Sequence, residues 1–220
     1  MSDLPILFED GEALVINKPS GLAVDRPRAG GECLDDHLES LRLGFQRQPA
    51  AVHRLDRDTS GCLLLARNPK ALKRFSAAFE AKVVQKRYLG IVAGIVAGDE
   101  GTIELALAKI SSAADRWHMI AAKKGKPAVT HWRKLAEIGG HTLVEFRPET
   151  GRTHQIRVHA LKGLGLPLLG DPIYGAGGGE TGSRTMLHAA EITVPRDGKP
   201  PIHAVAPLPA DFLAFGFSDG

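Results

Sequence analysis

The stretch AVTHWRKLAEIGGHTLVEFRPE, residues 128–149, reads as two strands folded back on one another. Val129, Thr130 and Trp132 on one side of Gly139-Gly140, and Thr142, Leu143, Val144 and Phe146 on the other, are residue types that suit a pleated, half-buried surface. Two consecutive glycines can take the positive φ angles of a tight hairpin turn. Upstream, PILFED and EALVINK repeat the arrangement around Asp10-Gly11, and KRYLGIVAGIV and GTIELALA read as further strands. GCLLLARN, mostly apolar, reads as a buried strand.

Helical spacing is scarcer. CLDDHLESLRLG has leucines at 34, 38 and 41 and Gly44 as a stop, which predicts a helix. PKALKRFSAAFEAK opens on Pro69 and places Leu72, Phe75, Ala78 and Phe79 on one face. TGRTHQIRVHALKGLG predicts a helix from about Thr153 to the glycines. GDPIYGAGGGETGS reads as a long loop, and the segments MLHAAEITV and PIHAVAPLPADF as a helix or strand and an edge. Strands outnumber helices and come as hairpins, not as alternating βαβ units. The expectation is one α+β domain over residues 1–220, built on a mixed, largely antiparallel sheet flanked by helices and loops.

Composition narrows the function. With 43% hydrophobic and 24% charged residues the chain has the make-up of an ordinary globular protein. Its net charge of +3 excludes a histone-like polycation, so nucleic-acid binding requires basic residues gathered on one face. Cys33 and Cys62 are too few for a disulfide framework or a four-cysteine metal site and read as buried thiols. No signal peptide or membrane-spanning apolar run is present, which predicts a cytoplasmic protein with no membrane contact.

Three clusters can carry chemistry. AVHRLDRDTSG (51–61) leads from a loop into the buried strand, a place where a carboxylate is both fixed and reachable. Leu55 inward leaves Arg54 and Asp56 together on the accessible side. Asp58-Thr59-Ser60-Gly61 reads as a turn with Gly61 at positive φ. GRTHQIRVHA (151–160) packs Arg152, His154, Gln155, Arg157 and His159 into eight residues. It is either an amphipathic helix with its cations in water or a set of fixed donors, with Arg157 suited to grip a carboxylate by its planar fork. The five-residue separation of His154 and His159 puts them on different helix faces, so no metal site is expected. In KRYLGIVAG (86–94), Tyr88 shares a strand face with Lys86. Basic residues cluster at Lys70, Lys73, Arg74, Lys82, Lys86 and Arg87, and at Lys123, Lys124, Lys126, Arg133 and Lys134, interleaved with Phe75, Tyr88 and Trp132. Such runs are usually solvated faces, but here they match a polyanion footprint.

ILFEDGEALVINKPSGLAV, HRLDRDTSG, KRYLGIVAG, TGRTHQIRVHA and GDPIYG, in this order and spacing, resemble the RluA-type pseudouridine synthases over nearly the whole chain. The resemblance implies an isomerase that converts uridines in rRNA or tRNA to pseudouridine without a cofactor or metal, acting as a monomer. It implies that Asp56 is catalytic, that Tyr88 belongs to the site, that Arg157 pairs with Asp56, and that Arg54 takes part in flipping the target base. His53, Arg57, Lys86, Arg152 and His154 are the further expected RNA contacts. Many relatives carry an S4 RNA-binding domain before the ILFEDGEALVINKPSG block. That block starts here at residue 6, so no S4 domain is expected. The tail from EITVPRD onward follows the family pattern only loosely.

Two other classes fit the sequence less well. A glycoside hydrolase needs a second carboxylate about 5–9 Å from the first, and the stretches around Tyr88 and Arg157 carry cations instead. A catalytically silent RNA-binding protein of the same fold is the alternative, but it is expected to lose Asp56, Tyr88 or Arg157, and all three are present.

Overall fold

The computed structural model describes residues 4–111, 117–175 and 184–218. Along the chain it places β1 (Ile6–Glu9), β2 (Ala13–Lys18), β3 (Ala50–Ala51), β4 (Ser60–Ala66), α1 (Pro69–Glu80), β5 (Gln85–Val92), β6 (Glu100–Glu104), β7 (Leu107–Ile110), β8 (His118–Ala121), β9 (Val129–Ile138), β10 (His141–Pro148), α2 (Gln155–Gly163), β11 (Leu187–Val194), β12 (Ile202–Val205) and α3 (Ala210–Ala214). The fold is α+β, and of its pairings between these strands only β4–β11 is parallel among those described. The chain divides into two compact units, residues 1–86 with 188–207, and residues 87–187 with 208–220.

In the first unit the strand order is β1-β2-β4-β11, with β3 on β4 and β12 on β11. The β1–β2 turn is closed by Asp10, whose Oδ1 accepts from the backbone N–H groups of Glu12 and Ala13, both at 2.8 Å. Every residue of β4 is buried, as its apolar run predicts. At the strand's start Gly61 has φ +107°, and a Cβ there would lie 2.2 Å from the Ala189 carbonyl oxygen. Only glycine lets β4 and β11 approach this closely. Helix α1 starts where Asn68 accepts from the Ala71 N–H at 2.8 Å, with Pro69 in the first turn. It buries Ala71 and Phe75 in a core with Val15, Leu64 and Ile192.

The leucine-spaced stretch after Cys33 differs from expectation. It forms two short 3₁₀ turns, Leu34–His37 and Ser40–Arg42, and not one α-helix. The Asp36 carboxylate accepts from the Cys33 N–H at 3.0 Å, a capping-box bond at the start of the first turn. The Leu38 and Arg42 N–H groups bond three residues back, to Asp35 and Glu39, the pattern of 3₁₀ turns. Leu43 then turns left-handed at φ 47°, ahead of Gly44 at φ 86°, so the glycine does end the segment.

In the second unit the order is β5-β10-β9-β6, all antiparallel. The β9–β10 hairpin closes as read, with Ile138 opposite His141 and Gly139 and Gly140 at φ 58° and 78°. Both turn residues are therefore left-handed, the geometry of a type I′ turn. A bulge between Leu143 and Val144 resets the register, after which Tyr88, Phe146 and Trp132 lie opposite one another across three strands. This face packs on Ile156 and Ala160 of α2. Strands β7 and β8 form a separate two-stranded hairpin.

Helix α2 begins at Gln155, two residues later than its spacing predicts, because His154 sits in the left-handed region at φ 52°. The Gln155 side chain explains the boundary. Its Oε1 accepts from the Thr150 hydroxyl at 2.7 Å and the Arg152 N–H at 3.0 Å, while Nε2 donates to the Val129 carbonyl and the Thr130 hydroxyl at 2.9 Å. Of the long loop read from GDPIYG onward, Asp171–Gly175 form turns, and residues 176–183 lie outside the described residues. The tail resolves into β11, β12 and α3, so MLHAAEITV is a strand.

Candidate active site

The first unit holds Asp56. Residues 53–59 run as a loop into β4, with Leu55 buried and Arg54 exposed; Asp56 is partly buried. The loop's backbone is pinned to the KPSG turn. Lys18 is fully buried, and its Nζ donates to the carbonyls of Pro19 and Leu22 at 2.8 Å and of Arg57 at 3.0 Å. The Gly21 N–H donates to the Arg57 carbonyl at 2.9 Å, Arg57 Nε returns a bond to the Gly21 carbonyl at 3.0 Å, and Ser20 Oγ donates to the Asp58 carbonyl at 2.9 Å. The Thr59 N–H closes a turn onto the Asp56 carbonyl at 3.1 Å. A buried ammonium with three carbonyl acceptors is well satisfied, and it fixes the backbone immediately after Asp56.

Around this loop the expected RNA contacts separate in character. His53 Nε2 accepts from the Leu64 N–H at 3.1 Å, and its ring stacks on Phe79 at 4.7 Å. Burial, and then the charge of Lys86, push its pKa down to about 3, so the imidazole is neutral and serves the fold. Burial also pushes Lys86 down to about 8. Arg54 is 65% exposed and pairs with Asp25 at 2.6 Å in the preceding arginine-containing loop. Arg57 is exposed.

The second unit holds Tyr88, Arg152, His154 and Arg157. Arg157 is not in water. It is buried on α2 and grips Asp171 by its fork, Nε to Oδ2 at 2.7 Å and Nη2 to Oδ1 at 2.8 Å, a bidentate pair. Asp171 Oδ1 also accepts from the N–H groups of Ile173 at 2.9 Å and Tyr174 at 3.0 Å. Burial alone raises the Asp171 pKa, but Arg157 and these two amides outweigh it and hold the carboxyl below its usual range. Tyr174 lays its ring 5.1 Å from the Arg157 guanidinium carbon. Its hydroxyl accepts from the Met119 N–H at 2.9 Å and lies 2.9 Å from His154 Nδ1. His154 in turn stacks on Trp117 at 5.1 Å. Arg152 Nε donates to the Pro127 carbonyl at 3.3 Å.

Lys18, Asp171, Tyr174 and Trp117 were not singled out by sequence reasoning. The first three sit inside the quoted blocks NKPSG and GDPIYG, so the signal was present, but which residue they serve is visible only in three dimensions. Among the described residues no three metal-ligating side chains converge, and no helix of the described residues is long and apolar enough to cross a membrane.

A mixed, largely antiparallel sheet with few helices is the architecture of the pseudouridylate synthase domains in two solved human proteins. One, RNA Pseudouridylate Synthase Domain Containing 4, superposes with a TM-score of 0.79 at 25% identity, covering 95% of this chain and 90% of that one. The other, Domain Containing 1, gives 0.79 at 30% identity, covering 94% and 84%. The family model for RNA pseudouridylate synthase matches residues 12–162, drawing on both units. An uncharacterized RNA pseudouridine synthase of Zymomonas mobilis is 55% identical over 96% of this chain and 97% of its own length. Ribosomal large subunit pseudouridine synthase D of Borreliella burgdorferi is 35% identical over 88% of this chain, which spans 62% of that relative. The chain belongs to the RNA pseudouridine synthase family, and its reaction is the isomerisation of uridine in RNA to pseudouridine.

Proposed function

We propose that Asp56 is the catalytic carboxylate of this reaction, with Arg157 as its partner cation, Tyr88 beside the uracil, and ribosomal RNA as the substrate. The observation that carries the reading is the loop at Asp56. Its backbone is held by Lys18, Ser20 and Gly21 on a motif that matches the family's, while Asp56 itself is partly exposed. The large-subunit rRNA assignment follows the names of several relatives, and it sets the compartment as the one where ribosomes assemble. One catalytic domain acting as a monomer completes the proposal.

The reaction breaks the C1′–N1 bond, rotates the uracil and rejoins it through C5. Atoms are conserved and no electrons change hands. A carboxylate serves it as a nucleophile at C1′, as the counter-charge to an electron-poor sugar, or as the base that takes the 2′ proton to give a glycal. Each route needs Asp56 ionised, which a guanidinium favours. The target base must first leave its stack, at a cost of a few kcal/mol, and Arg54, exposed at the loop's rim, is placed to contact the RNA that it vacates.

The test uses RNA tritiated at uracil C5, since only the isomerisation releases that tritium to water. Asp56→Asn keeps shape and hydrogen bonding but not the charge. It is expected to abolish release while RNA affinity stays within several-fold of the original. Release above about a tenth of the original rate would move the catalytic role elsewhere, with Asp58 the next candidate.

A further inference from the structure

Tyr174 joins three parts of the second unit through one side chain. Its ring is buried among Leu107, Met119, Ala128 and Val158, and it faces the Arg157 guanidinium at 5.1 Å. Its backbone N–H donates to Asp171 Oδ1 at 3.0 Å, the same oxygen that Arg157 Nη2 holds. Its hydroxyl ties down the start of β8 through the Met119 N–H and lies 2.9 Å from His154 Nδ1. The hairpin so held presents exposed Lys109 over the ring of Trp117, itself 41% exposed, and leads into exposed Lys123 and Lys124. A cation beside a half-exposed indole on a hairpin followed by lysines is suited to a nucleic-acid strand, because stacking and phosphate contact need these two chemistries.

We infer that Tyr174 is a positioning residue with two separable roles: its ring sets the Arg157 guanidinium, and its hydroxyl sets His154 and the β7–β8 hairpin against the RNA. The inference rests on the role proposed above for Arg157. An aromatic ring needed only for packing would be replaced by phenylalanine without effect. Here phenylalanine keeps the ring over Arg157 but loses the bonds that anchor the hairpin and His154, whereas leucine loses both.

The experiment is steady-state tritium release from a 5-tritiated large-subunit rRNA transcript on which the unmodified enzyme turns over. Tyr174→Phe is expected to raise KM about three- to tenfold with the smaller change in kcat, as the loss of one or two hydrogen bonds to the binding elements dictates. Tyr174→Leu is expected to lower kcat about ten- to a hundredfold, the scale of a misplaced charged group. Thermal melting confirms that each is folded at the assay temperature, and Tyr174→Met carries the second arm if the leucine variant is not. Kinetics of Tyr174→Phe equal to the original enzyme would overturn the hydroxyl's role. A lowered melting temperature with unchanged kcat in the leucine or methionine variant would overturn the ring's role. Arg157→Lys is run beside them. Unchanged kcat there removes the role given to Arg157, while a slowed lysine variant beside a fully active Tyr174→Leu enzyme refutes only the inference about Tyr174.

Discussion

At Arg157 the fork is occupied by Asp171, so a substitution there is expected to change folding as well as the catalytic role proposed for it. Arg157→Lys keeps the charge but loses the second prong, and turnover should fall about a hundredfold while remaining measurable. Arg157→Met goes further, because it strands a carboxylate whose side chain is wholly buried. Removing one partner of such a pair costs about 3–5 kcal/mol, which urea unfolding would register. Asp171→Asn in the same chain removes the stranded charge and keeps an acceptor for the Ile173 and Tyr174 amides. The double variant should therefore recover much of the lost stability and none of the turnover. Recovered turnover would mean that Arg157 serves folding alone.

Among the elements, β4 depends most on a single residue. At Gly61, φ is +107° and the Ala189 carbonyl stands where a Cβ would go, so Gly61→Ala meets both backbone strain and a backbone clash. A loss above about 4 kcal/mol is expected, among the largest that a single methyl group produces. A shift in the urea midpoint equivalent to less than about 1 kcal/mol would show that β11 can move aside. This glycine was legible beforehand, since a Ser-Gly pair between a charged loop and an apolar run calls for a positive φ. The two Gly and Asp-Gly hairpins and α1 were legible for the same reason: their signals lie within a few residues of one another. The 3₁₀ turns after Cys33 were not, because leucine spacing does not tell bonds three residues back, such as Leu38 to Asp35 and Arg42 to Glu39, from bonds four back. Nor was the start of α2, which is set by Gln155 reaching 25 and 26 residues back to β9. Asp171 lies 14 residues beyond Arg157, so its carboxylate could be read as part of a loop but not as the partner of that arginine.

Across the whole molecule the ionisable groups set two responses. His53, neutral in the fold with a pKa near 3 against an ordinary 6.5, takes up a proton far more readily when unfolded. His159 is shifted in the same direction by burial, which outweighs a backbone interaction with Leu105. For both, the unfolded chain binds more protons below pH 6.5, so stability is full above that pH and declines as pH falls. Asp171, held below its ordinary 3.8, adds a loss that begins only at more acid pH. The urea midpoint should therefore slide from pH 6.5 downward, and His53→Gln, which keeps an acceptor for the Leu64 N–H, should flatten part of that slope. A constant midpoint between pH 7 and 5 would refute it. The second response is to salt. A net charge of +3 is too small for general attraction to RNA, so binding must draw on local cations. Not all of the basic residues contribute equally, because Arg74 is paired with Glu12 at 2.6 Å and Lys134 with Glu137 at 2.9 Å. Lys73, Lys123 and Lys124 are exposed. Each phosphate contact they make releases a counterion and adds about 0.7–0.9 to the slope of log affinity against log salt. Neutralising the three to glutamine should lower that slope by about 2 and weaken binding most at low salt. Neutralising Lys134, whose charge is already balanced, should change it by much less. A slope that stays the same in the triple variant would show these lysines to be solvated surface, and would leave Arg54, Arg57 and Arg152 to carry the phosphate contacts.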